Sequence, residues 1–150
     1  MAIIGGAGNP VGGSFTGPAE ALEIAGDFAY AYNQIGTADV NAGPTNTLVF
    51  TTGNFLFVGH WTVCGSVNKD GDSATGGIDQ FYLKLNGATI MSLRTDTQSQ
   101  IVESPQSLTV PVIIPAYTDV EALAVSEQNN NNWLVSNSLT GRIYRENPGL

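Results

Sequence analysis

The sequence predicts an all-β chain: an eight-stranded antiparallel jelly-roll sandwich (residues 26–150) preceded by an extended N-terminal arm (residues 1–25). Three observations predict it. Short runs alternate large or apolar residues with small or polar ones, the period of two that belongs to strands with one buried side. Clusters of Gly, Pro, Asn, Asp and Ser separate these runs at the close spacing typical of sandwiches. A length of 150 residues with 42% hydrophobic content suits one domain with a sizeable core, and 18 glycines suit many turns.

The opening stretch, MAIIGGAGNPVGGSFTGP, is rich in Gly and Pro, which break regular elements. It carries no charge before Glu20, whereas disordered tails are usually charged. Spaced apolar residues, Ile3, Ile4, Val11 and Phe15, suit an arm that orders against a partner; plain disorder is the alternative. Pro18–Ala25 reads either as one or two helical turns with Pro at an early position or as an edge strand.

Asp27–Ile35 is the first predicted strand, with Phe28, Tyr30 and Tyr32 on a large face and Ala29 and Ala31 on a small one. The small face permits close approach of another sheet or subunit. A turn-rich loop over 36–46 leads to a second strand, Thr47–Thr51, and Thr52-Gly53-Asn54 makes a tight turn. The central strand follows. Phe55, Phe57, Gly59, Trp61, Val63, Gly65 and Val67 share one face, and Leu56, Val58, His60, Thr62, Cys64 and Ser66 the other. Aromatic and β-branched residues dominate it, types that pack well on a pleated surface. Residues 55–58 are apolar on both faces and are expected to be buried on both sides.

After the polar loop 68–77, Ile78–Leu85 and Ala88–Arg94 flank Asn86-Gly87. Both turn residues tolerate positive φ, so this is a type I′ hairpin. A polar connection over 95–105 precedes a strand at Ser107–Ile114, where Pro111 marks an edge or a bulge. Pro115–Asp119 is a turn, Val120–Ser126 a strand, and 128–132 a loop with four asparagines. Trp133–Ser136 and Leu139–Tyr144 close the fold as two runs or as one strand bent near Asn137.

Charge and cysteine content exclude several function classes. The formal charge is −8, with five Lys and Arg against thirteen Asp and Glu, and no basic cluster exceeds Arg142/Arg145. Binding to a phosphate backbone needs clustered cations, so nucleic acid is not an expected partner. No run approaches the ~20 apolar residues of a membrane helix, so no membrane partner is expected. The first ten residues lack a basic n-region and a long apolar run, which predicts no signal peptide. One cysteine, Cys64, excludes an intrachain disulfide and reads as a small buried hydrophobe.

The order of features resembles the trimeric jelly rolls of the tumour-necrosis-factor and complement-globular-head type. Residues VFTTGNFLFVGHW are similar to that family's Phe-Thr strand end, Gly-closed turn and aromatic strand. YLKLNGATIMSL resembles its hairpin, LTVPVIIPAYTDVEALAV its strand–turn–strand, and Ser136–Tyr144 its closing strand. The match spans about residues 26–145. The Gly-rich arm leading into PAEALEIAGDFAYAY, with the closing LTGRIY, also resembles jelly-roll virion proteins of tailed phages. That resemblance implies a homotrimeric capsid decoration (cement) protein or a head-fibre module. Its implied partners are copies of itself and the major capsid protein of a virus. It would be made in the host cytoplasm and carried on the capsid exterior.

Candidate chemistry is sparse, and no enzyme is predicted. His60 is the single histidine, without a Gly-x-Ser-x-Gly turn to accompany it, and reads as a packed or interface residue. His60 and Cys64 share a strand face but are four residues apart, roughly 13 Å, too far for a nucleophile and its base. Asp70, Asp72 and Asp79 with Asn68 form part of a calcium-loop pattern, in which Ser73 stands where Gly is wanted and Asp79 replaces the bidentate Glu. A turn-driven Asx cluster is the alternative, and no cofactor is expected. Asp119 and Glu121 read as a solvated face.

More apolar strand surface is present than one two-layer sandwich hides. A neighbouring copy, the arm, or the loop 36–46 could cover it. The residues expected at an interface are Ile3, Ile4, Val11 and Phe15 of the arm, with Phe28, Tyr30, Tyr32, Phe57 and Trp61. The expected function is a trimer docking on a viral shell by burial of apolar area. The alternative is a receptor- or glycan-binding fibre-tip module using the loops 68–79 and 128–132.

Overall fold

The computed structural model describes residues 22–36, 43–68, 78–96, 106–126 and 133–145. They form an all-β molecule of nine strands: β1 (Glu23–Ala25), β2 (Phe28–Gly36), β3 (Thr45–Thr51), β4 (Phe55–Asn68), β5 (Ile78–Leu85), β6 (Ala88–Asp96), β7 (Ser107–Ile114), β8 (Asp119–Ser126) and β9 (Trp133–Arg145). Two antiparallel sheets stack face to face. One has five strands in the order β1-β2-β9-β4-β7, the other four in the order β3-β8-β5-β6.

Eight strands were expected, and the ninth is β1. Its three residues pair with Phe28–Tyr30 at the edge of the larger sheet, which selects the edge strand over the helical turns for this segment. Leu22 just before it is 1% exposed, so residues 22–25, counted with the arm on sequence grounds, pack as part of the sandwich. Ile3, Ile4, Val11 and Phe15 lie outside the described residues. The closing segment is one strand, with Asn137 paired in line to Asn33 and Val63.

The hairpin at Asn86-Gly87 forms with φ of 50° and 80°, the double positive φ that a two-residue turn needs to match strand twist. Pro111 stands on β7, an edge strand paired with β4 alone. Gly65 N–H donates to the Gln106 carbonyl at 2.8 Å, which makes directly opposed pairs at every second residue hydrogen-bonded and leaves His60–Pro111 between bonds. The proline therefore costs the ladder nothing and denies the free edge a donor.

The core lies between the sheets and contains Phe57, Trp61, Val63, Phe81, Leu83, Ile114 and Leu139. Alternation along β4 puts Phe55, Phe57, Trp61 and Val63 on one face as expected, and the structure turns that face inward. The expectation that residues 55–58 are buried on both sides is corrected. Leu56 is 36% exposed and Val58 half-buried, because their side of β4 is the outer face of the sheet. At the centre, Gly59 stands opposite Gly141 on adjacent strands. A Cβ built on either would fall 2.8 or 2.9 Å from Cζ of Phe57, so the ring lies across the pair and fills the space two side chains would take.

A buried polar chain ties the sheets together. Trp61 Nε1 donates to Asn137 Oδ1 at 2.8 Å, and Asn137 Nδ2 donates to Thr47 Oγ1 at 2.9 Å. Thr47 Oγ1 in turn donates to the Ala122 carbonyl at 2.8 Å. Burying these groups costs little only because each finds a partner. Thr47 sits at a bulge of β3 between Asn46 and Leu48, which turns the hydroxyl into the core.

The two ends of the sandwich differ. β3–β4, β5–β6 and β7–β8 are joined by short turns at one end, beside the β1–β2 turn. The described strand ends that bracket residues 37–42, 69–77, 97–105 and 127–132 all lie at the opposite end.

Candidate functional site

The most distinctive surface is the outer face of the five-stranded sheet. On β2 the small residues go inward: Ala29 and Ala31 are each 2% exposed. The large ones go outward: Phe28, Tyr30 and Tyr32 are 60%, 52% and 57% exposed. This inverts the usual sorting of a solvated strand, where polar residues face water. On the same inward side, Asn33 of β2 donates its amide to the Thr47 carbonyl of the second sheet at 2.9 Å, so small and polar residues occupy the side of β2 that faces that sheet.

Register builds the face in rows. Phe28, Arg142, Val58 and Ile113 stand side by side on β2, β9, β4 and β7. The next row is Tyr30, Thr140, His60 and Pro111, with Glu23 of β1 beside Tyr30. Then come Tyr32, Ser138, Thr62 and Thr109. Tyr144 and Leu56 extend the apolar part toward the short turns. Thus the face grades from apolar near the short turns to hydroxylated near the longer connections. Thr62 and Thr109 hydroxyls share a 2.9 Å hydrogen bond in the polar part.

An open groove of about 460 Å³ crosses the apolar part, lined by Phe28, Val58, His60, Pro111, Thr140 and Arg142. The side-chain-free backbones of Gly59 and Gly141 form its floor. The Arg142 guanidinium lies over the Phe28 ring, 5.2 Å from its centroid, a cation–π contact that holds the charge above the aromatic stripe. Chemically this arrangement offers apolar area, one fixed cation, an imidazole and a hydroxyl.

The sequence-predicted residues divide between the two faces. Phe28, Tyr30, Tyr32 and His60 come together on the outer face. Phe57 and Trp61, also expected at an interface, are 0% exposed and belong to the chain's own core, because alternation places them on the opposite side of β4. Cys64 is half-buried on the outer side of β4. Burial pushes its thiol above the ordinary value of 9.0, the Asp79 charge adds to that, and a hydrogen bond with Ser136 opposes it. Of the calcium candidates, Asp70 and Asp72 lie outside the described residues. Asp79 is buried at the start of β5, where its Oδ2 accepts from Thr95 Oγ1 at 3.4 Å. Among the described residues no group of three or more His, Cys, Asp or Glu is placed to hold a metal. Asp119 is exposed and accepts from Thr51 Oγ1 at 2.7 Å, a turn contact.

Sequence reasoning missed Arg142 and Glu23. Both are visible only through register: Arg142 enters the face because Phe28 and Val58 flank it, although they lie 114 and 84 residues away in the chain. It also missed Asn137, which reads as a bend in the sequence and is a buried linker in the fold.

Among the described residues no helix is long and apolar enough to cross a membrane. No protein-family model matches the chain, and no curated protein matches it. Among solved structures it is similar to dimeric latent PorU from Porphyromonas gingivalis, at 11% identity and a TM-score of 0.33. That alignment covers 86% of this chain and 14% of the PorU chain, and a likeness of this size assigns neither family nor function.

Proposed function

We propose that the chain is a structural virion protein, a jelly roll that assembles as a homotrimer and docks on a viral shell as a capsid decoration protein. The observation that carries this reading is the aromatic stripe Phe28–Tyr30–Tyr32, each ring more than half exposed on an ordered sheet. Contiguous exposed apolar surface on a stable fold marks an interface. Half of the ~150–250 Å² on each ring is about 100 Å², so covering three removes about 300 Å² and contributes roughly 7 kcal/mol per copy before association costs.

The jelly-roll reading is supported by the path of the chain. Successive strands from β2 to β9 change sheets at every step except the β5–β6 hairpin. Two interleaved Greek keys produce such a path, with β1 added at an edge. Guarded edges favour association through the face: β1 has three residues, and β7 carries Pro111. The major capsid protein as partner, the virion exterior as location and the arm as anchor rest on the family resemblance.

Sedimentation equilibrium tests the reading. The wild-type chain is expected at three times its 15.7 kDa mass, and Tyr30→Glu/Tyr32→Glu at the single-chain mass with unchanged far-UV circular dichroism. A wild-type chain that remains single at high concentration would refute it.

A second reading draws on a different observation, that the strand ends bracketing residues 37–42, 69–77, 97–105 and 127–132 lie together at one end. Loops on a rigid scaffold commonly carry binding residues, so a glycan- or receptor-binding tip would use that end. Glycan-array binding by a trimer, abolished by exchange of residues 128–132, would favour it over shell decoration.

A further inference from the structure

We propose that Tyr117, at the tip of the β7–β8 turn, is the anchor that enters a pocket of the viral shell. The inference rests on the decoration reading above and names the end of the sandwich that meets the shell.

The backbone at this residue is the first observation. Among the described residues, those with positive φ are Gly26, Gly43, Gly87, Asn86 and Tyr117. Glycine and asparagine tolerate that conformation. Tyr117, at φ 55°, does not: its Cβ crowds the carbonyl that follows, and a bulky residue is an outlier there. Asn or Gly would fit the turn without that strain.

Neighbouring turns hold the strained residue in place. Thr52 N–H donates to the Thr118 carbonyl at 2.9 Å, and Thr118 N–H donates back to Thr52 Oγ1 at 2.8 Å. The Thr52 hydroxyl donates to the Pro115 carbonyl at 2.7 Å, and Tyr117 N–H donates to the Gly53 carbonyl at 3.1 Å. On the other side, Asn86 N–H donates to the Asp119 carbonyl at 2.8 Å, and Asp119 N–H donates to Asn86 Oδ1 at 2.9 Å. Strain persists where the surroundings over-determine it, and such sites cluster at ligand and partner contacts. The Tyr117 ring is 71% exposed, the most of any large hydrophobic residue described, so burial within its own chain does not offset the strain.

A convex tip fits a concave partner. Tyr offers a large ring, few rotatable bonds and a hydroxyl, and it anchors interfaces when a pocket closes around it. The matching pocket is apolar in its depth and offers the phenol a hydrogen-bond partner. Its rim carries no net negative charge, because Asp119 is exposed two residues away and the chain's formal charge is −8. In a closed trimer, threefold symmetry brings the three tips to one level along the axis, so their contacts with one shell multiply.

Tyr117→Asn tests it, since Asn keeps the backbone conformation and removes the ring. The probe is the shell of the virus that encodes the chain, assembled without it, and binding is read by co-sedimentation. The variant is expected to fold with a Tm equal to or above wild type, and its dissociation constant for shells is expected to rise at least about thirtyfold. Exchange of residues 128–132, at the opposite end, is expected to leave shell binding unchanged. A Tyr117→Asn chain that decorates shells like wild type overturns this inference and leaves the decoration reading standing. So does one that melts well below wild type, because the ring then serves the chain's own fold. Loss of glycan-array binding with shell binding intact would overturn it too, and make the tip a glycan contact. A wild-type chain that ignores shells overturns both readings.

Discussion

Replacing Asn137 with Leu isolates the polar link between the sheets. The side chain is 0% exposed and occupies the middle of the chain from Trp61 to Thr47. Leu has nearly the same volume, so the cavity term is small and the loss is chiefly of hydrogen bonds. Trp61 Nε1–H would be left buried without its acceptor, a cost of about 1–3 kcal/mol, and loss of the bond to Thr47 adds about 0.5–1.5 kcal/mol. Thr47 keeps its own bond to the Ala122 carbonyl, so the damage stops there. The sum is about 2–4 kcal/mol, a fall in Tm of about 5–15 °C for a domain of this size. Urea denaturation followed by tryptophan fluorescence, at one protein concentration because assembly contributes to stability, gives the value. A double-mutant cycle with Trp61→Phe separates the bond from the packing, and the pair should couple by about 1–2 kcal/mol. Asn137→Leu within about 0.5 kcal/mol of wild type, or strict additivity with Trp61→Phe, would refute the claim that this network holds the sheets in place.

Two further outcomes follow from the geometry. Gly59→Ala should destabilise by more than about 2 kcal/mol, because its Cβ meets the backbone of Thr140 and Gly141 and the Phe57 ring, and backbone cannot move aside; chemical denaturation measures it, and a near-neutral result would contradict the ring-over-glycine packing. Cys64 should react slowly with disulfide reagents at neutral pH and faster as pH rises past 9.0, since the thiolate is the nucleophile and burial holds the thiol protonated. The sign for stability runs the same way. A thiol whose folded value is raised binds its proton more tightly in the folded state, so its contribution is intact below the unfolded value and is lost as pH climbs above it. A reaction rate already at its plateau at neutral pH would refute the raised thiol.

Much of the fold is legible in the residues because strand alternation and turn chemistry are local. The faces of β4, the Asn86-Gly87 hairpin and the edge position of Pro111 each follow from a few consecutive residues. The aromatic stripe is equally legible as a pattern: Phe28, Tyr30 and Tyr32 alternate with Ala29 and Ala31. Its direction is not. Alternation says that two faces exist, and hydrophobicity would send the rings inward. The alanines are buried on the inward side of β2, where Asn33 reaches the Thr47 carbonyl of the second sheet, and the rings turn to water.

The sequence by itself determined that the chain is all-β, where most strands begin and end, and which residues share a side. Only the tertiary structure decided which side is the core, that Phe57 and Trp61 lie within it, and that Glu23, Arg142 and His60 share the outer face. The reason is physical. Propensity and alternation act between neighbours in the chain, whereas register pairs β9 with β4 across 65 to 90 residues and with β2 across 98 to 114. Those pairings depend on packing the whole sandwich at once, and no short stretch contains them.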